Sequence, residues 1–198
     1  MNKLYLAAVC GVLALASAGA DAQMRVRGTI TSFDGNVLAV KTREGRDVKI
    51  ELGKDATVAY PKALKLSDIK AGTPLGTTAV MGPDGKLVAR EIHVFPAERG
   101  VPNEGHRPWD LEPNSSMTNA TVSALAQAGG SRELTLTYKG GSQKVIVPDN
   151  VPVVIAVEAD RSLLVPGAYV FVAASMNNDG KIIASRVQVS KDGVKPPQ

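Results

Sequence analysis

Few residues of this 198-residue chain are suited to chemistry: two histidines, His93 and His106, one tryptophan, Trp109, and one cysteine, Cys10. A single cysteine excludes an internal disulfide and any multi-cysteine zinc or iron–sulfur centre. His93 and His106, with Met81, Met117 and Met176, are soft or borderline donors that suit copper in an oxidising compartment. Their spacing forms no H-x-H, M-x-x-M or His-plus-Cys pattern. Met81 and Met176 fall in apolar runs and read as core filler. That leaves His93, His106 and Met117 for a copper- or zinc-handling reading. His93 alternates in phase with Glu91, on what reads as a half-exposed polar strand face. The Asp-Gly turns near 34, 84 and 179 lack the D-x-D-x-D-G spacing and following Glu of a calcium loop.

Nucleophilic chemistry finds no better material. There is no G-x-S-x-G elbow, H-E-x-x-H, P-loop or G-x-G-x-x-G. Ser115, Ser116 and Asp110 lie near His106 in sequence, but nearness within a loop is not triad geometry. Glu91 and Glu98 are the nearest approach to paired carboxylates, and a glycan-acting enzyme would be built on them. The expectation is a protein without enzymatic activity and without a cofactor. Residues 96–118, PAERGVPNEGHRPWDLEPNSSMT, are the least bland stretch. A flexible linker would be rich in Gly and Ser and would not hold the only Trp. An ordered inter-domain segment is expected, anchored by Trp109. His106, Arg107, Trp109 and Asp110 then form a junction binding patch, since ligand sites favour domain junctions.

The elements that must position these residues come in duplicate. Residues 68–94 and 163–189 align at a constant offset of 95 (167 − 72). They share Gly72/Gly167, Ala79/Ala174, Met81/Met176, Asp84/Asp179, Gly85/Gly180, Lys86/Lys181, Ala89/Ala184 and Val94/Val189. Two copies of this length mean two similar units rather than a solenoid. In the first, strands are expected at 26–33, 37–41 and 47–52, with a short one at 58–60. A helical turn at 66–72 stops at Gly72, and strands at 74–81 and 86–95 form a hairpin about Gly82-Pro83-Asp84-Gly85. The chain is thus expected to be all-β, with five to six strands per unit closing into a small barrel that hides its sheet edges. The expected boundaries are 23–95 and 119–191, with a short tail at 192–198.

Residues 1–22 carry an address. Lys3 precedes an apolar run at 4–18, and Ala20-Asp21-Ala22 offers an A-x-A cleavage site, with Ala16-Ser17-Ala18 as a second candidate. The run is short for a bilayer span, which needs about 20 residues, and nothing later approaches one. A signal peptide and a periplasmic or secreted chain are expected, with no integral span in its mature part. Charges total 23 Lys+Arg against 19 Asp+Glu and are interleaved, which argues against a nucleic-acid footprint.

The tandem pattern, the D-x-x-x-G at Asp68–Gly72, the D-G-K turns, and the segments Gly105-His106-Arg107-Pro108-Trp109-Asp110-Leu111 and Met117-Thr118-Asn119-Ala120-Thr121 carry a resemblance. They resemble an exported bacterial family of tandem domains of unknown function, often labelled "metal ABC transporter permease". The resemblance implies two small OB-like β-barrels and an envelope location, and brings no catalytic residues. The expected role is a non-enzymatic binding or scaffolding one, toward an envelope protein or a glycan.

Overall fold

The computed structural model describes residues 23–128 and 130–196; the expected export signal at 1–22 lies outside the described residues. The described chain is all-β: β1 (Met24–Phe33), β2 (Val37–Thr42), β3 (Asp47–Ala63), β4 (Pro74–Met81), β5 (Leu87–Val94), β6 (Gly105–Pro108), β7 (Ser115–Ala128), β8 (Ser131–Tyr138), β9 (Gly141–Val147), β10 (Val153–Ala159), β11 (Tyr169–Met176) and β12 (Ile182–Val189). Single 3₁₀ turns lie at Leu66–Asp68, Ala97–Arg99 and Arg161–Leu163. No described helix is long and apolar enough to cross a membrane.

Local chemistry sets the hairpins. Between β1 and β2 the Asp34 carboxylate accepts from the N–H groups of Asn36 and Val37, and Gly35 takes φ 101°. The β4–β5 and β11–β12 turns place Gly85 and Gly180 at φ 74° and 76°, a region costly for residues with a Cβ. The expected short strand at 58–60 is the continuation of β3, which runs on through Pro61 to Ala63.

Closure departs from the expected boundaries. β1, β2 and β3 form an antiparallel meander, and β1 then pairs with β11. β12 pairs antiparallel with β11 and parallel with β3, so β1-β2-β3-β12-β11 is a closed five-stranded barrel. Its core takes Ile30, Leu38 and Ile50 from the first repeat, and Val170, Val172 and Val187 from the second. The middle of the chain forms a ring of the same order, β7-β8-β9-β5-β4, through a short parallel contact of Leu87 and Val88 with Val145 and Ile146. Leu75, Ile92, Leu134, Leu136, Val145 and Val147 fill that second core. The pairing therefore crosses 23–95 and 119–191: each three-stranded meander closes with the other repeat's hairpin.

The physical reason lies in β3. Its 17 residues extend for about 55 Å at roughly 3.3 Å per residue, too far to bend back into one small barrel. The second half of β3 leaves the first barrel and pairs antiparallel with β10, delivering β4 and β5 to the middle ring. At the centre of that ladder Pro61 opposes Ala156. These residues are 95 apart (156 − 61), so the repeat operation exchanges them, and an approximate two-fold axis passes between them. Val58 against Val187 and Val153 against Ile92 are the corresponding parallel contacts on either side.

Candidate functional site

Alternation along a closed barrel sends one set of side chains into the core and the other outward. On β12, Val187 and Val189 face inward, so Arg186 and Gln188 face out. On β5, Ile92 faces inward while Glu91 and His93 face out. The repeat operation relates these outward pairs, Glu91 to Arg186 and His93 to Gln188, and the two faces meet around the axis. Between them lies a cleft of about 1210 Å³, roofed by the segment after β5.

Cross-strand register builds its floor in rows. On the middle ring, His93 opposes Gly76, which opposes Asn119. Glu91 opposes Thr78, then come Met117 and, on β6, Arg107. On the terminal barrel, Gln188 opposes Phe171, which opposes Arg27, while Arg186 opposes Ala173, which opposes Arg25. Gly76 is required where it stands: a Cβ there would strike the His93 ring and the Asn119 carbonyl oxygen. Its repeat counterpart is Phe171, so one half draws its ring from β5 and the other from β11.

The floor is polar and strained in charge. Thr78 donates to the Glu91 carboxylate at 2.9 Å. His93 packs edge-on to Phe95, centroids 5.1 Å apart. Burial, then the charges of Arg186 and Arg107, push its pKa down to about 4, so the ring is neutral at pH 7. Burial and the charge of Arg99 lower the pKa of Arg186, whose side chain makes no hydrogen bond or ion pair among the described residues. Arg99 itself is paired with Glu158 at 2.9 Å. Among the described residues, four buried side-chain polar atoms have no partner: Arg27 Nε, His93 Nδ1, Asn119 Oδ1 and Gln188 Oε1.

The sequence-nominated patch forms the rim. Trp109 is half-buried between two guanidiniums, Arg25 at 3.9 Å and Arg107 at 5.5 Å from the ring centroid. Asp110 accepts from both terminal nitrogens of Arg27, at 2.7 and 3.2 Å, and lies 3.6 Å from Arg25. Partial burial acts to raise the Asp110 pKa, but these hydrogen bonds and charges outweigh it and leave the carboxyl below its usual value. Arg43 donates to the carbonyls of Asp110 and Leu111. The segment leaving β6 is thus clasped by β1 and β2, while β6 itself pairs with β7 of the middle ring. His106 Nδ1 lies 2.8 Å from Thr118 Oγ1, and burial together with Arg107 lowers the His106 pKa.

His93, His106 and Met117 all border the cleft, and no described group of three or more His, Cys, Asp or Glu is placed to hold a metal ion. The His93–Glu91 face is the cleft floor, and Glu91 is buried rather than half-exposed. Met81 and Met176 are not core filler: at the hairpin ends they are 59% and 51% exposed. Arg25, Arg186, Gln188 and Asn119 went unnominated because a polar residue on a strand's outer face ordinarily reads as solvated. One signal was present: repeat partners facing the core match, as in Ala79/Ala174, while Glu91/Arg186 and His93/Gln188 differ in charge or kind. Compared with protein-family models, curated proteins and solved structures, the chain matches none.

Proposed function

We propose that the protein is a non-enzymatic, exported binding protein whose ligand occupies the cleft on the pseudo-two-fold axis. The observation that carries this reading is the set of unsatisfied polar groups on the floor. A buried donor or acceptor left without a partner costs about 1–3 kcal/mol, and His93, Gln188 and Asn119 line one cavity in that condition. Such groups cluster where a ligand completes them. The export signal at 1–22 and the family resemblance support an envelope location. The barrel order, a meander whose third strand meets the fifth in parallel, supports an OB-like assignment for both rings, a scaffold widely used for binding. The metal-handling alternative is disfavoured at the same place, because two guanidiniums already act on His93 and would repel a cation.

Obstruction tests the location. Ala156 lines the cleft beside the axis; Ala156→Phe narrows it without removing a polar group. In a saturation-transfer NMR screen of small neutral and charged solutes, any ligand that binds the wild-type chain is expected to lose signal with Ala156→Phe. Binding that survives the substitution would put the site elsewhere. A Zn(II) or Cu(II) titration is expected to leave Trp109 fluorescence unchanged, whereas stoichiometric binding abolished by His106→Ala would favour metal handling.

A further inference from the structure

We propose that the cleft takes a polyhydroxylated organic anion, its charge seated on Arg186 and its hydroxyl groups donating to the side-chain oxygens of Asn119 and Gln188. This rests on the cleft being the binding site and names the chemistry it selects. Arg186 forms no ion pair among the described residues, and its neighbour Arg99 has the same sign and is spent on Glu158. A guanidinium held away from bulk water offers paired donors that fit a carboxylate or phosphate. Arg107 adds positive potential at the same point, since it and Arg186 both act on His93. Its only side-chain hydrogen bond among the described residues goes to the Asn103 carbonyl, so the charge is not paired with a carboxylate.

The acceptors specify the rest of the ligand. Asn119 and Gln188 are 5% and 9% exposed, so both are more than nine-tenths buried. The Asn119 amide nitrogen donates to the Pro102 carbonyl at 2.7 Å, which fixes the amide with Oδ1 as the free acceptor. Gln188 Oε1 is likewise free. Gln188 lies two residues from Arg186 on one strand face, about 7 Å away at roughly 3.4 Å per residue. That spacing suits a charged group and a hydroxyl on the same sugar-sized molecule. Guanidiniums cover two of the cleft's rings, Arg25 and Arg107 over Trp109 and Arg27 over Phe171 at 5.3 Å, which leaves those faces to cations rather than to an apolar ligand. Uronic acids and sugar phosphates share the required chemistry.

Calorimetry on the chain from residue 23 tests this with four probes: galacturonate, glucose 6-phosphate, galactose and acetate. At least one of the two sugar anions is expected to bind about tenfold or more tightly than galactose or acetate. Preference for galacturonate identifies a carboxylate, and preference for glucose 6-phosphate a phosphate. Arg186→Gln is expected to weaken that binding by about tenfold or more, with Arg186→Lys, the check should the Gln variant fail to fold, falling between. Gln188→Met is expected to weaken the sugar anion but not acetate. Bound anion also raises the His93 pKa in NMR titration, a change a purely structural Arg186 would not produce. Equal affinity for galactose, full affinity in Arg186→Gln, or no binding of either anion at about 10 mM overturns the assignment. A ligand blocked by Ala156→Phe yet indifferent to Arg186→Gln would leave the cleft standing and remove only this chemistry.

Discussion

His93 couples the cleft to pH. Its ring lies over Gly76, its Nδ1 is buried without a partner, and the charges of Arg186 and Arg107 both act on it. The folded pKa of about 4 lies below the ordinary 6.5, so the unfolded chain takes up the proton first. The associated stability is complete above pH 6.5 and is lost as pH falls toward 4. The whole shift corresponds to about 3 kcal/mol. Thermal unfolding of the wild type is expected to drop steadily across that window. His93→Gln, which installs the residue found at the repeat-equivalent position, is expected to flatten the drop; an unchanged slope would mean another group titrates. Gly76→Ala pushes a methyl into the same ring, and an expected cost of about 1–3 kcal/mol is measurable by chemical denaturation. Asp110 titrates in the same sense at lower pH: its pKa is also depressed, so its contribution is present above the ordinary carboxylate range and fades below it. Because Arg27 is 5% exposed and loses its only carboxylate among the described residues, Asp110→Ala is expected to cost about 1–3 kcal/mol at pH 7. Solvent reaching Asp110 keeps that loss below the value of a fully buried pair.

At the level of elements, the segment 96–118 is a strap. It begins on the 3₁₀ turn Ala97–Arg99, pairs as β6 along β7, and then reaches across to Arg25, Arg27 and Arg43. In the sequence, Pro and a lone Trp argue against a free linker here. The manner of anchoring was not legible there. Trp109 is held between guanidiniums rather than sunk in a core, so Trp109→Ala is expected to cost about 1–2 kcal/mol in a denaturant titration. A loss near 4 kcal/mol would indicate full burial. The hairpins were legible, since Asp-Gly and Asn-Asp-Gly leave few other backbone paths. Alternation misread Met81 and Met176, because it identifies a side chain's face but not where the strand outruns the core beneath it.

Across the whole molecule, the repeat was legible but its partners were not. The two hairpins share their core-facing residues, as Ala79/Ala174 and Ala89/Ala184 show, so either satisfies either meander by local pattern alone. What decides is the continuity of β3 through Pro61, and no sequence signal sets a strand's direction after it leaves a barrel. Exchange makes the two rings mutually dependent and places Arg186 and Gln188 opposite Glu91 and His93. Disulfide trapping tests that arrangement directly, in a chain whose Cys10 is replaced by Ser. Thr29 opposes Tyr169 across β1 and β11, and antiparallel partners about 4.5–5.5 Å apart at Cα fall within disulfide range. Residue 74 occupies the place of Tyr169 in the other repeat (169 − 95). Thr29→Cys with Tyr169→Cys is expected to oxidise within the monomer, while Thr29→Cys with Pro74→Cys stays reduced. Ready closure of the second pair and not the first would show each repeat folding on itself and would dissolve the cleft.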